Sequence, residues 1–406
     1  MKNSALIISL TFFGASCFAQ TIDTTKIQQH IRTLSNDSLQ GRGTGTEGEK
    51  RAAAYIQEEF KKIGLQPNGD QGFFTQSFTF KGGIHGTGED GLAANIIGYL
   101  DNQRESTIIL GAHYDHLGNG SQGSSLDANP QGKIHNGADD NASGVAGVIE
   151  LARYFKNNAK KENYNFLFIC FSGEELGLYG SKFFTEHPTI DLNNTNYMLN
   201  MDMIGRLDPN TKGLAVSGSG TSQVWENLLK SLSTEALKIK TDSAGVGPSD
   251  HTSFYLKNIP VLHFFTGSHA DYHKPSDDWD KINYEGEVDV LKLMIKLIEQ
   301  LDIQPKLAFL TTKNKSMNSA RSFKVTMGVM PSYTSDVNGL QIDGVTDGKP
   351  AQKAGMLAGD IITQIGELPI TDIQTYMEAL GKFEKGQTVP VKIKRKGEEL
   401  IVRVSF

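Results

Sequence analysis

The sequence predicts an α/β fold: a three-layer sandwich around a mixed, mainly parallel sheet, followed by a small β-rich domain. Three observations predict it. Residues 20–303 alternate between runs of helical period and short strand-like runs, the pattern that places helices on both faces of a sheet. Within them, Phe166-Leu167-Phe168-Ile169-Cys170-Phe171 is apolar without interruption, as a strand covered on both faces must be. Beyond about residue 320 the alternation gives way to short strands, and 406 residues exceed one ordinary core, so a second unit is expected.

The elements follow in order. Residues 26–34 and 47–63 read as helices, the second with Ala53, Ile56, Phe60 and Ile63 at helical spacing. Residues 95–100 and 107–112 read as strands, 143–155 as a helix with small and apolar residues on one side, 165–171 as the buried strand and 176–186 as a helix. Strands at 197–204, 214–217 and 260–265 come next, and a long amphipathic helix at 285–301 closes the unit. Residues 304–319 form a linker, polar from 311 on and carrying Lys313 and Lys315. The second unit, 320–406, holds strand runs at 323–330, 339–345, 361–365, 389–395 and 400–406 and short helices at 351–354 and 373–380.

Composition narrows the class. With 38% hydrophobic and 21% charged residues the chain is an ordinary globular sequence. Its net charge of −6 and the absence of a basic stripe argue against a nucleic-acid partner. The N-terminus stands apart: Lys2, an apolar run at 5–13 and mostly small residues at 14–19 outline a secretory signal peptide spanning 1–19, with cleavage after Ala19. The bland alternative is an N-terminal core helix. The apolar run is too short to span a bilayer and no other long apolar segment follows, so no transmembrane segment is expected. Export to the periplasm or the exterior follows. Lipid anchoring through Cys17 ranks second, because Gly14 stands where such sites usually carry Leu. Only Cys17 and Cys170 are present, so the mature chain forms no internal disulfide, and Cys170 reads as buried filler in its strand.

The chemistry-bearing residues cluster at strand ends, where α/β sheets gather their sites. His113 and Asp115 follow the 107–112 strand; strand alternation turns both the same way, so His113 can bind a metal while Asp115 fixes its ring. Gly137-Ala138-Asp139-Asp140-Asn141-Ala142-Ser143-Gly144 is a polar loop suited to hold a carboxylate against cations, or simply to cap the next helix. Glu174 and Glu175 follow the buried strand; adjacent side chains diverge, so one can bind metal while the other moves protons. Taken alone they are equally a solvated acidic helix start. Asp202 follows another strand, and Asp271-Tyr272-His273 lies in another polar loop. Together these supply the ligand set of a paired divalent-metal site that activates water. His116 reads as a loop residue, His263 as a satisfied core histidine, and Asp250 and His251 as structural, since no nucleophile-elbow pattern surrounds a serine. His30, His85, His135, His187 and His269 have no evident role.

On these motifs, residues 20–303 resemble the M28 family of zinc metallopeptidases, mainly aminopeptidases. The resemblance implies an α/β sandwich around a mixed sheet and two zinc ions that share a bridging aspartate. In GAHYDH, His113 matches the first zinc's histidine and Asp115 its orienting aspartate; in GADDNASG, Asp140 matches the bridging carboxylate. Glu174 in SGEELG matches the general base and Glu175 the second zinc's ligand. Asp202 in NMDMIG matches the first zinc's remaining carboxylate, and His273 in DYHKPSDD the second zinc's histidine. Tyr272 sits where some members place a tyrosine that steadies the tetrahedral intermediate. Peptides with a free N-terminus are the implied substrates. Zinc, rather than cobalt or manganese, is a preference of the ligand chemistry.

Residues 320–406 resemble a PDZ domain of the bacterial protease-associated kind, on Met327-Gly328-Val329-Met330 and the block Pro350-Ala351-Gln352-Lys353-Ala354-Gly355-Met356-Leu357-Ala358-Gly359-Asp360-Ile361-Ile362. Such domains take up extended C-termini by strand addition, and the loop at Gly328 would hold the carboxylate; packing on the peptidase or assembly is the other use. Three rival readings share parts of this pattern. They are a one-zinc glutaminyl cyclase, a related metallo-carboxypeptidase or amide deacylase, and a PDZ-led binding protein with an inert metal domain.

Overall fold

The computed structural model describes residues 21–81, 90–122, 124–312, 325–332, 335, 337–346 and 348–406. The signal peptide expected at 1–19 with Cys17, His85 and most of the polar linker lie outside them.

The first unit runs α1 (Thr24–Leu34), α2 (Glu47–Ile63), β1 (Gln66–Pro67), β2 (Thr75–Lys81), β3 (Asp90–Leu100), β4 (Thr107–His113), α3 (Gly144–Asn157), β5 (Asn165–Phe171), α4 (Tyr179–Glu186), β6 (Thr195–Met201), β7 (Gly213–Ser217), α5 (Trp225–Leu232), β8 (Lys238–Asp242), α6 (His251–Tyr255), β9 (Val261–Phe265) and α7 (Tyr284–Leu301). Its strands form one mixed sheet in the order β1-β3-β5-β4-β6-β9-β7-β8, with β2 on β3. The middle, β5-β4-β6-β9, is parallel throughout. Antiparallel pairings flank it at β3·β5 and β7·β9.

Strand β5 shows why the run at 165–171 is apolar at every position. Phe166, Phe168 and Cys170 join the core on the side of α1, α2, α3 and α7, and Phe166 stacks on Phe155 of α3 with ring centroids 4.5 Å apart. Leu167, Ile169 and Phe171 join the opposite core with Phe184 of α4 and Phe254 of α6. Both faces are covered, so alternation has nothing polar to place. Cys170 is buried and free in this strand.

Several boundaries depart from the sequence reading, and β3, expected at 95–100, begins already at Asp90. The helix expected at 176–186 begins only at Tyr179. Before it, Glu174 to Leu178 form a turn closed by the amides of Gly177 and Leu178 on the Glu174 carbonyl, at 2.8 and 3.0 Å. Strand β6 ends at Met201, which leaves Asp202 in the loop beyond it. In the second unit the strand expected at 323–330 shortens to β10 (Val329–Pro331), because Gly328 turns the chain with φ +71°; residues 323 and 324 lie outside the described set. The reading had missed β2, α5, α6 and the edge strand β8.

The second unit continues with β11 (Leu340–Val345), α8 (Pro350–Lys353), β12 (Ile361–Ile365), β13 (Leu368–Pro369), α9 (Ile373–Leu380), β14 (Thr388–Arg395) and β15 (Glu398–Ser405). Its sheet runs β10-β11-β12-β14-β15, with β13 on β12, and every pairing is antiparallel. A core of its own, including Met327, Ile342, Ile362, Tyr376 and Val391, fills it. No helix among the described residues is long and apolar enough to cross a membrane.

Candidate metal centre

The parallel middle of the sheet ends in the centre. His113 is the last residue of β4, Asp202 the first after β6, and Glu174 stands three residues past β5. The His113 Nε2 atom lies 3.3 Å from Asp140 Oδ1 and 3.4 Å from Asp202 Oδ1. Ligands about 2.0–2.1 Å from a tetrahedral zinc are separated by roughly 3.4 Å, so these three atoms stand where such an ion needs them. The other ring nitrogen, Nδ1, is 3.2 Å from the backbone carbonyl of Asp115 and 3.7 Å from its carboxylate. A proton on Nδ1 donates to that carbonyl and leaves the Nε2 lone pair for a metal. The Asp115 carboxylate holds the glutamate turn as well, accepting the amides of Glu174 and Glu175 at 3.2 and 3.4 Å and the Thr44 hydroxyl at 2.8 Å.

A second group adjoins the first. His273 Nε2 is 3.2 Å from Asp140 Oδ2 and 3.3 Å from Glu175 Oε2. Asp140 thus offers one oxygen to each group, the disposition of a shared carboxylate. His116 joins this second group: its Nδ1 is 2.8 Å from Glu175 Oε1, and it forms a metal-sized cluster with Asp140 and Glu175. Its Nε2 is buried without a hydrogen-bond partner. The sequence reading left His116 as a loop residue; the loop turns its ring inward, and its place directly after Asp115 was the available signal.

Buried supports set the loop that carries Asp140. Asp277 Oδ2 accepts the amides of Asp139 and Asp140 at 3.0 and 3.1 Å. Asp139 accepts the Gly205 amide at 2.7 Å and lies 3.1 Å from His269 Nε2. Gly137 has φ +54°, and a Cβ there would meet the Asp140 carbonyl at 2.1 Å and the His116 ring at 2.5 Å, so only glycine fits. Arg42, 1% exposed, donates to the carbonyls of Leu34, Tyr114, Asn136 and Gly137, tying the two histidine and aspartate loops together. Sequence reasoning missed Arg42, Asp277 and Asp139.

The electrostatics suit cations. Five carboxylates (Asp115, Asp140, Glu174, Glu175 and Asp202) converge on three imidazoles. Burial raises the Glu174 carboxyl well above the usual range; Asp202 and Glu175 add to the shift and His113 opposes it. Burial also works to raise Glu175, but His273 overcomes it, with hydrogen bonds from His116 and His273, and holds that carboxyl at about 2. Burial pushes the Tyr272 hydroxyl well above its usual range, and Asp140 and Glu175 reinforce it. Tyr272 stacks on His273, centroids 3.9 Å apart. The donor set and its spacing fit divalent zinc.

Asp250, His251 and His263 stay apart from this set. Asp250 is fully buried and pushed up to about 7 by burial. His251 stacks on His263 at 4.6 Å, and His263 reaches Asn200 through Nδ1 at 3.2 Å. His263 is nonetheless part of the cleft: a cavity of about 440 Å³ is lined by it, by the ligand residues and by an apolar wall of Met203, Ala215 and Phe265.

Residues 95–298, which contain every ligand position above, match peptidase family M28. The chain belongs to that family. Residues 323–406 match the PDZ domain. The M28 region is similar to aminopeptidase YwaD of Bacillus subtilis, 32% identical over 161 residues, covering 37% of this chain and 34% of that one. It is also similar to leupeptin-inactivating enzyme 1 of Streptomyces exfoliatus, 27% identical over 258 residues, covering 62% and 51%. The chain therefore spans about a third and a half of these relatives. A zinc aminopeptidase from Bacillus subtilis shares the fold at TM-score 0.52 and 18% identity, over 69% of this chain and 95% of that one.

Proposed function

We propose that this M28 chain is an exported di-zinc metallo-exopeptidase that removes N-terminal residues from peptides. The supporting observation is the pair of ligand groups meeting at Asp140, with Glu174 beside them, its Oε2 4.0 Å from His113 Nε2. His113, Asp140 and Asp202 on one side, and Asp140, Glu175 and His273 with His116 on the other, would hold zinc, which would supply Lewis acidity toward water and a scissile carbonyl. Glu174, which burial and then the neighbouring carboxylates make a stronger proton acceptor, takes the proton of the attacking water and hands it to the departing amine. The Tyr272 hydroxyl, whose proton burial helps to retain, donates to the oxyanion that forms on the substrate. Asp115 keeps both glutamates in place through their amides. The leader at 1–19 supports export.

Hydrolysis of aminoacyl-anilides by the mature protein, with free and with acetylated amines and with and without chelator, tests the reading. Chelator-sensitive cleavage of the free-amine forms alone is expected. Glu174→Gln should keep its zinc and lose about 10²–10⁴-fold in kcat; turnover near the parent rate in that variant would remove Glu174 from the mechanism. Release of the anilide from acetylated substrates at equal rates would show that no free amine is required and overturn the exopeptidase reading.

A further inference from the structure

The wall of the cleft that faces the ligand residues comes from the PDZ unit. Thr326, Gly328, Val329, Pro331, Thr346 and Lys349 line the same 440 Å³ cavity as His113, Asp202 and His273. Strand β10 and the loop before it therefore form one side of the metal centre's own cavity. The loop is braced: the Gly328 amide donates to Thr326 Oγ1 at 3.2 Å, and the Gly328 carbonyl accepts from the Thr346 amide at 2.8 Å. The Met327 carbonyl accepts from the Ala351 amide at 2.8 Å. Gly328, at φ +71°, is required, because a Cβ there would meet Lys349 Cβ at 2.3 Å. Glycine lets the lysine stem lie against the loop.

The cavity is polarised. Its carboxylates all belong to the metal centre, and Lys349 is the one lysine or arginine among the described residues that line it. A peptide whose N-terminal end lies at the metal ligands, as the exopeptidase reading has it, meets Lys349 with the carboxylate at its other end. The volume falls in the lower part of the range for sites that enclose a single small molecule, room for roughly two or three residues. The apolar wall of Met203, Ala215 and Phe265 leaves space for side chains between the charged ends.

We propose that the substrates of this centre are short peptides with a free C-terminus, di- and tripeptides above all, whose carboxylate is received by Lys349 and the 326–329 loop while the N-terminal amide bond lies at the metal ligands. The proposal rests on the exopeptidase reading and gives it a substrate class. The PDZ unit is then part of the substrate site, and a chain longer than the cavity is disfavoured.

The test compares, on the full chain loaded with zinc, a tripeptide with a free C-terminus, the same tripeptide amidated, and the matching aminoacyl-anilide. The free acid should exceed the amide in kcat/KM by about tenfold or more, the usual worth of a charge-assisted contact. Lys349→Glu should raise KM for the free acid by a similar factor, and change KM for the amidated tripeptide and the anilide several-fold less. Equal kcat/KM for acid and amide, or a Lys349→Glu effect shared equally by tripeptide and anilide, would overturn the proposal while leaving the exopeptidase reading intact. Anilide cleavage without any tripeptide cleavage would do the same. Failure to cleave all three would overturn both.

Discussion

At the scale of single residues, the least expected feature is the buried acid behind the centre. Glu49, 2% exposed, accepts the Gly45 amide at 2.6 Å and the Ser172 hydroxyl, and burial, with Asp115 nearby, raises its carboxyl to about 8. A carboxyl raised in the folded state keeps its proton where the unfolded chain, at about 4.5, has lost it. Its contribution to stability is therefore fully present below about 4.5 and declines as pH rises to about 8, by at most about 1.4 kcal/mol per pH unit. Glu49→Gln, an isostere of the protonated form, should gain on the parent in denaturant midpoint between those limits and then level off. A difference that does not change with pH would show that Glu49 is ionised in the fold. Neither Glu49 nor Arg42 was legible in the sequence. Arg42 bonds carbonyls 72 and 95 positions away, a relation that no local pattern records. His113, Asp140, Glu174, Glu175, Asp202 and His273 were legible, because each sits in a short polar block that follows a strand or precedes a helix. His116 lay inside such a block and was passed over, since one residue more or less decides whether a loop side chain turns in or out.

At the scale of elements, strands buried on both faces declared themselves most clearly, and β5 carries the largest share. Phe168 is fully buried and stacks on Phe166, centroids 5.9 Å apart. Phe168→Ala should lower unfolding stability by about 3–5 kcal/mol, read from chemical denaturation; a loss under about 1 kcal/mol would mean that the core collapses around the gap. The elements the sequence hid are short or half-exposed. Strand β8, Lys-Ile-Lys-Thr-Asp, is largely exposed and exists only by pairing with β7. Helix α5 buries Trp225, Leu229 and Leu232 at helical spacing, but over eight residues such a period is too brief to stand out. The turn at 174–178 delayed the start of α4 because Leu178 takes a left-handed conformation, φ 62°, to turn the glutamates toward the cleft.

At the scale of the whole molecule, two units and two sheets were foreseen, whereas the shared cavity between them was not, because contact between units separated by a polar segment leaves no trace in either pattern. The centre also concentrates negative charge that bound cations offset. Removing them should lower Tm, and restoring zinc at a hundredfold over its Kd should return about 2.7 kcal/mol. A Tm unmoved by chelator would mean that the fold does not depend on the metals. Cys170 offers an independent view of the same coupling. The thiol lies sealed in β5, only four residues before Glu174, and in the chain without its first 19 residues it is the sole sulfhydryl. Its reaction with an alkylating reagent is then a clock for opening of the central sheet: each labelled molecule records one excursion from the closed state, and the rate with and without zinc measures how far the ions slow it.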